Sequence, residues 1–483
     1  MKKLFLAIFI LLLLFVAYLF YNTSNFKSTQ LEVDPVAVTP IPDGAIDRYV
    51  ESISIRTISF EDEADFDSTQ FKKFNEFLES YYPLVHSELD HTTFSEFSHL
   101  FHWKGNGQSL KPIILMAHID AVPIATPAAW TVHPFTAGLV NDTIYGRGAM
   151  DCKFGVIGIM ESVEQLLREG FLPNRDIYIS LGHDEEIGGL RGAVKIAQHL
   201  KDKGVVPHFV LDEGFAITDG LIPGVDGPTA IIGIAEKGYL SLELTVAMEG
   251  GHSSSPQKET SIDVMSRAVS NVKENPSPRT LSPVLNAFMD KMGPEMDAKA
   301  KFVFANRKIF KSLILDEMEK SNTGNASVRT TTSPTIFEAG IKDNVIPTAA
   351  RAVINFRIIP GETTKDVIAH VAKVINDDRI NIEILKEAFE PSPISPVDNS
   401  QYESIDRSIK QIFPNIRSTP NLVLGATDSR HFTILTDNVY RFSPFKVSPE
   451  NLTCFHGIDE RVPRSEFEDG IRFYRQLIKN GSQ

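Results

Sequence analysis

Two cysteines are all that this chain of 483 residues carries. Cys152 and Cys454 could close one bridge at most, so no disulfide framework supports the fold, and both are expected to be free thiols. Basic charge is also short: 48 lysines and arginines stand against 62 aspartates and glutamates, a formal net charge of −14. That balance argues against nucleic acid as a partner, because a phosphate backbone is met by an excess of lysine and arginine. Internal repeats and low-complexity tracts are lacking beyond one short polar stretch near the start. What remains is the composition of a folded protein, 42% hydrophobic and 23% charged. It is too long for one ordinary core, so two domains with accessories are expected.

The one long apolar run lies at the start, where Lys2 and Lys3 precede an unbroken stretch from Leu4 to Tyr21. As a helix it would be about 27 Å long, enough to cross a hydrocarbon core. A cleaved signal peptide would have a shorter apolar region ending in small residues; this one ends in AYLFYNTS. An uncleaved anchor is therefore expected over residues 1–30, with the lysines cytoplasmic and the body in a lumen or outside the cell; if the segment were cleaved, the body would be secreted. The Pro-interrupted STQLEVDPVAVTPIPDGA that follows reads as a tether.

Short apolar strands (IILMA, IYISLG, HFVLD) then alternate with helical patterns such as VIGIMESVEQLLREG. This predicts an α/β first part over 31–238, a mostly parallel sheet flanked by helices. From 239 to 392 the texture changes to a β-α-β-β-α-β order, that of a ferredoxin-like α+β domain. It is interrupted from about 276 to 326 by an amphipathic helical stretch for which ordinary helix packing is expected. The α/β texture resumes over 393–483, so the smaller domain is inserted into the larger one.

Ligands of parallel sheets gather beyond the carboxyl ends of strands, and polar residues stand at those points. SLGHDEE ends a strand in His183, Asp184, Glu185 and Glu186. Adjacent residues of an extended segment point opposite ways, so Glu185 and Glu186 can share a cation only in different roles. His118 and Asp120 follow IILMA; an imidazole can give one nitrogen to a metal while Asp120 accepts the other ring N–H. Asp151 lies in the Gly-rich IYGRGAMDCK, Asp212 ends FVLD, and His456 lies in TCFHGIDE. Singly, each is a loop polar residue or a cap. Together, His118, Asp151, Glu186, Asp212 and His456 make two imidazoles and three carboxylates, a set that suits two Zn²⁺ ions, with Co²⁺ or Mn²⁺ as alternatives. Glu185 can then take a proton from a water held between such ions.

The motifs MAHIDAVP, IYGRGAMDCK, SLGHDEE, GGHSSSP, DNVIP, NFRIIPG and GATDSR, in this order, make the chain resemble the di-zinc aminoacylase and carboxypeptidase family of acetylornithine deacetylase and succinyl-diaminopimelate desuccinylase. The resemblance runs from about residue 45 to the C-terminus and is strongest to carboxypeptidase S and the N-fatty-acyl-amino-acid synthase/hydrolase branch. It implies a zinc-exopeptidase-like fold with an inserted lid and dimerisation domain. It also implies a division of ligands: Asp151 bridging, His118 and Asp212 on one ion, Glu186 and His456 on the other, and a cis peptide after Asp151. Glu185 would be the general base and Asp120 would orient His118. His252 in the lid would meet the oxyanion, in homodimeric relatives from the partner subunit. Asn344 and Arg430 would hold a substrate carboxylate, with Arg357 a weaker candidate. The implied activity is hydrolysis of an amide whose amine side is an amino acid with a free carboxylate, the acyl side being another amino acid or a fatty chain. A non-catalytic receptor on the same fold is the rival reading, and the intact Glu185 argues against it.

Overall fold

The computed structural model describes residues 1–107, 109–136, 138–385 and 388–483. The strands Ile113–His118 and Ile177–Gly182 are buried at every position, as near-continuous apolar runs require in a sheet covered on both faces. They lie side by side in parallel at the middle of a ten-stranded sheet, with Phe209–Asp212 parallel on the other side of Ile113–His118. Val439–Arg441 continues the parallel run beyond Phe209–Asp212, so the C-terminal part of the chain returns to the sheet begun by the N-terminal part. The flank made of Asp90–Phe94 and Ser98–Trp103 is antiparallel.

Helices cover this sheet. Phe154–Arg168 lies against Arg464–Gly481, and the contact is close because glycines face rings: a Cβ on Gly470 would fall 2.4 Å from Phe154, and one on Gly158 would fall 3.0 Å from Tyr474. Tyr49 stacks on Phe467 at 4.0 Å and meets Phe154 edge-on.

The second sheet has four strands in the order Thr331–Ala339, Ala349–Ile358, Gly238–Ala247, Asn381–Ile384, all antiparallel. With the helices Ser261–Glu274 and Thr364–Ile375 between successive strands, this is the ferredoxin-like order. Both helices begin at capping boxes, Thr260 with Asp263 and Thr363 with Asp366. They share a core with the sheet through Val264, Met265, Ala268, Val367 and Val371. The edge strand Thr331–Ala339 is largely exposed, with Ile336 and Phe337 open to solvent.

The stretch between lid helix and edge strand folds as Pro283–Met292, Ala298–Ala305, Lys311–Met318 and Asn322–Val328. It has a small core of its own around Leu285, Met289, Ile314 and Leu315. The apolar run at the start is a helix, Lys2–Asn25. The polar segment after it differs from a free tether. Gln30 donates to the Ser418 carbonyl and accepts from Lys410 Nζ, Val36 N–H donates to Gln411 O, and Arg472 donates to Thr39 O. Its backbone has no regular partner strand, and side chains of the body satisfy part of it instead.

Candidate metal centre

His118 ends its strand fully buried, with Nδ1 3.2 Å from Asp120 Oδ1 and Nε2 left to face outward from the strand end. Asp120 is buried too and holds more than the ring. Its two oxygens accept the backbone N–H groups of Glu185 (3.2 Å) and Glu186 (3.1 Å) and the Ser59 hydroxyl at 2.6 Å. One carboxylate therefore sets the tautomer of His118 and the position of the acidic turn after the neighbouring strand.

Asp151 sits between the two histidines. Its Oδ1 lies 2.9 Å from His118 Nε2 and its Oδ2 lies 3.0 Å from His456 Nε2. A glutamate accompanies each imidazole: Glu213 Oε1 is 3.3 Å from His118 Nε2, and Glu186 Oε2 is 3.3 Å from His456 Nε2. The Asp151–Cys152 peptide is cis. The turn is held from behind by Glu460, fully buried, whose carboxylate accepts from the N–H groups of Gly148, Met150 and Asp151 and from Arg147. Glu460 has no signal in the sequence beyond its closeness to His456.

Asp212 lies within electrostatic reach of His118 but spends its side chain elsewhere. Its Oδ2 accepts the Ser429 N–H at 2.9 Å. Side chains alternate along a strand, so when residue 212 faces the 427–430 turn, residue 213 faces His118. Glu213 thus stands where Asp212 was expected. Glu185 lies in the same acidic group, within electrostatic reach of His118, Glu186, Glu213 and the buried Asp428.

The electrostatics follow from crowding acids away from water. Burial, with the charge of Asp151 added, pushes Glu186 up to about 7 and Glu213 up to about 8. Burial likewise holds Glu185 well above the usual carboxylate range. Burial would raise Asp151 as well, but hydrogen bonds from His118 and His456 override it and keep Asp151 below that range. Hydrogen bonds to Asp151 and Glu186 lift His456 to about 10. Imidazolium protons thus stand between carboxylates that would otherwise repel. A divalent cation can take over that role and leave both rings neutral. The donors fit one: ligand atoms of His118, Asp151 and Glu186 lie within 4.8 Å of one another, and Glu186 Oε1 is buried with no hydrogen-bond partner. Cys152 Sγ, too, lies within 4.8 Å of ligand atoms of His118 and Glu213. Burial raises its thiol above the ordinary range. Cys152 and Cys454 are both free.

The remaining expected residues make other contacts. Arg430 donates to the Thr427 and Gly188 carbonyls, and its guanidinium lies 4.9 Å over Phe389. Arg357 lies 4.9 Å over Tyr239, and Tyr239 stacks on Phe389 at 5.8 Å. Two cations thus share one aromatic pair, which sequence reading did not anticipate. His252 and Asn344 are exposed neighbours on the short ribbon Gly251–His252 with Val345–Ile346, where Ser253 N–H donates to Asn344 O. Among the described residues, the His252 ring bonds within its own turn, to Ser254.

Paired imidazole and carboxylate donors around a shared aspartate, at the carboxyl edge of a parallel sheet, place the protein among the metal-dependent hydrolases. The model of peptidase family M20/M25/M40 matches residues 114–480, and the chain belongs to that family. It is 40% identical to a probable carboxypeptidase S-like 2 of Dictyostelium discoideum, over 95% of this chain and 90% of that one. It is 42% identical to the N-fatty-acyl-amino acid synthase/hydrolase PM20D1 of Xenopus tropicalis, over 89% and 84%. Among solved structures, the M20 metallo-carboxypeptidase Sso-CP2 from Sulfolobus solfataricus shares the fold with a TM-score of 0.66 at 17% identity, over 91% of this chain and all of that one. The protein is a carboxypeptidase-like, metal-dependent amide hydrolase.

Proposed function

We propose that the protein hydrolyses N-acyl amino acids or peptides that end in a free carboxylate, at a centre holding two zinc ions. The observation that carries this is the Asp151 carboxylate with one oxygen toward each imidazole and one glutamate beside each ring. In this reading His118, Asp151, Glu213, Glu186 and His456 would hold the ions, with Asp151 shared between the His118–Glu213 pair and the His456–Glu186 pair. Asp212 is a positioning residue for the 427–430 turn. Bound there, the ions would supply Lewis acidity toward the amide carbonyl and the attacking water.

The chain's own residues do the rest. Glu185, kept basic enough by burial to accept a proton, takes it from the attacking water and gives it to the leaving amine. His252 meets the developing oxyanion once the lid unit of residues 239–392 comes over the centre formed by 31–238 and 393–483. Arg430 and Asn344 hold the substrate carboxylate, with Arg357 behind them; a guanidinium fork suits that group. The exposed edge strand Thr331–Ala339 supports homodimer formation through the lid. The helix Lys2–Asn25 anchors the chain with the body outside the cytoplasm. It carries no charge from Leu4 to Tyr21, and over that span every side chain but Leu19 is exposed.

The test is a turnover panel on the zinc-loaded protein with dipeptides, N-acetyl and N-oleoyl amino acids, each beside its carboxamide-blocked form. Free-carboxylate amides should be cleaved, and blocking the carboxylate should cost at least an order of magnitude in kcat/KM, since the charge-assisted pair with the guanidinium is then lost. Equal turnover of blocked and free forms would remove the role given to Arg430 and Asn344. Absence of turnover across the panel would favour a binding protein on the hydrolase fold.

A further inference from the structure

The N-terminal helix is not joined to the body by a free linker; it is docked. Leu19 is its one buried residue, Phe20 packs on Phe302 at 5.5 Å, and Asn306 Nδ2 donates to Leu19 O at 3.1 Å and lies 3.2 Å from Thr23 Oγ1. Asn22 donates to Asn306 Oδ1 at 3.0 Å. One turn further on, the ring of Phe26 fills the space beside Gly293. These contacts fall on the last turns of the helix and on the residue that follows it, and all are made by the helical stretch inserted into the lid.

Those turns are where a spanning helix leaves the hydrocarbon. With Leu4–Tyr21 across the bilayer, Phe302 and Asn306 stand level with its outer boundary. The surface around them has the composition of an interfacial segment. Ile309 and Leu313 are 46% and 51% exposed, and Lys299, Lys301, Arg307, Lys308 and Lys311 fall within a few turns of one another, in a chain whose net charge is −14. The nearby acids are already engaged: Asp316 and Glu319 pair with Arg279, Glu319 also with Arg329, and Asp290 with Arg307. Among the described residues no carboxylate pairs with Lys299, Lys301, Lys308 or Lys311. Exposed apolar side chains flanked by unpaired lysines are what an anionic lipid surface attracts.

We propose that residues 298–313 form a membrane-docking surface for anionic phospholipids of the leaflet from which the anchor emerges, so that the catalytic body lies on the bilayer in a set orientation. The proposal rests on the anchor reading, and its test separates the two. The full chain carries a bimane label at Leu313→Cys or, as a control, at Ile341→Cys, which is exposed in the lid; Cys152 and Cys454 are buried and escape labelling. It is reconstituted in vesicles of phosphatidylcholine alone or with phosphatidylserine, each containing acyl-chain nitroxide lipid. Quenching at residue 313 should exceed that at 341 several-fold in the phosphatidylserine vesicles and fall toward the control when Lys308→Glu and Lys311→Glu are combined. Quenching at 313 no greater than at 341, or indifferent to both lipid charge and charge reversal, overturns the proposal. Alkaline carbonate washing of the same vesicles reports on the anchor. A chain that washes off lacks a spanning helix, and its quenching before the wash still decides the docking surface either way.

Discussion

At the scale of single residues, parity along one strand decides which acid faces the metal centre. FVLDEG offers two adjacent carboxylates, and no sequence pattern states at which of them the strand's last pleat turns toward His118. The structure turns Glu213 there and gives Asp212 to the Ser429 N–H. Glu213→Gln is therefore expected to lose close to one zinc per chain by elemental analysis, while Asp212→Asn keeps both; the opposite pattern would return the role to Asp212. The acids Glu185 and Glu186 and the His118–Asp120 pair were legible because they stand at strand ends, and His456 because its motif follows theirs in a recognisable order. Glu460 was not, because its work is done with three backbone N–H groups that no side-chain motif reveals.

Among the elements, the contact between Phe154–Arg168 and Arg464–Gly481 is set by glycine. In a helix interior alanine is preferred over glycine by ~1 kcal/mol, which taken alone makes Gly470→Ala stabilising. A Cβ there would meet Phe154 at 2.4 Å, and Phe154 is wedged among Tyr49, Phe445 and Phe467. Overpacking of such a site costs ~1–3 kcal/mol, so the net effect expected is a lower thermal midpoint. A variant as stable as the parent would mean that the two helices separate easily. Elements with a clear period were legible: the buried strands, the lid's β-α-β-β-α-β order, the first helix. The segment after that helix was not, since its composition is that of a flexible linker, and only the docked positions of Gln30, Val36 and Thr39 distinguish it from one.

For the molecule as a whole, the two sheets meet at a buried lysine. Lys237, between the strands Thr229–Glu236 and Gly238–Ala247, donates to the carbonyls of Ala326 and Arg329, where the inserted helices return to the lid. Burial lowers it from an ordinary 10.5 to about 7. Between these values the unfolded chain holds a proton that the folded chain does not, so this group makes stability rise with pH from about 7 to about 10. Below 7 both states hold the proton and the contribution is flat. Lys153, also lowered to about 7 by burial, acts in the same sense. Lys237→Met should reduce the rise of the thermal midpoint over that range without abolishing it; an unchanged slope would mean that Lys237 stays charged in the fold. All these parts serve one claim, that a buried glutamate works as a base beside a two-metal centre. Its most direct test is the kcat of Glu185→Gln on an N-acyl amino acid, with metal content measured on the same sample. We expect kcat to fall by ~10²–10⁴-fold, as for loss of a general base, with two metals still bound. A variant that retains most of its kcat with its metals in place would contradict the account.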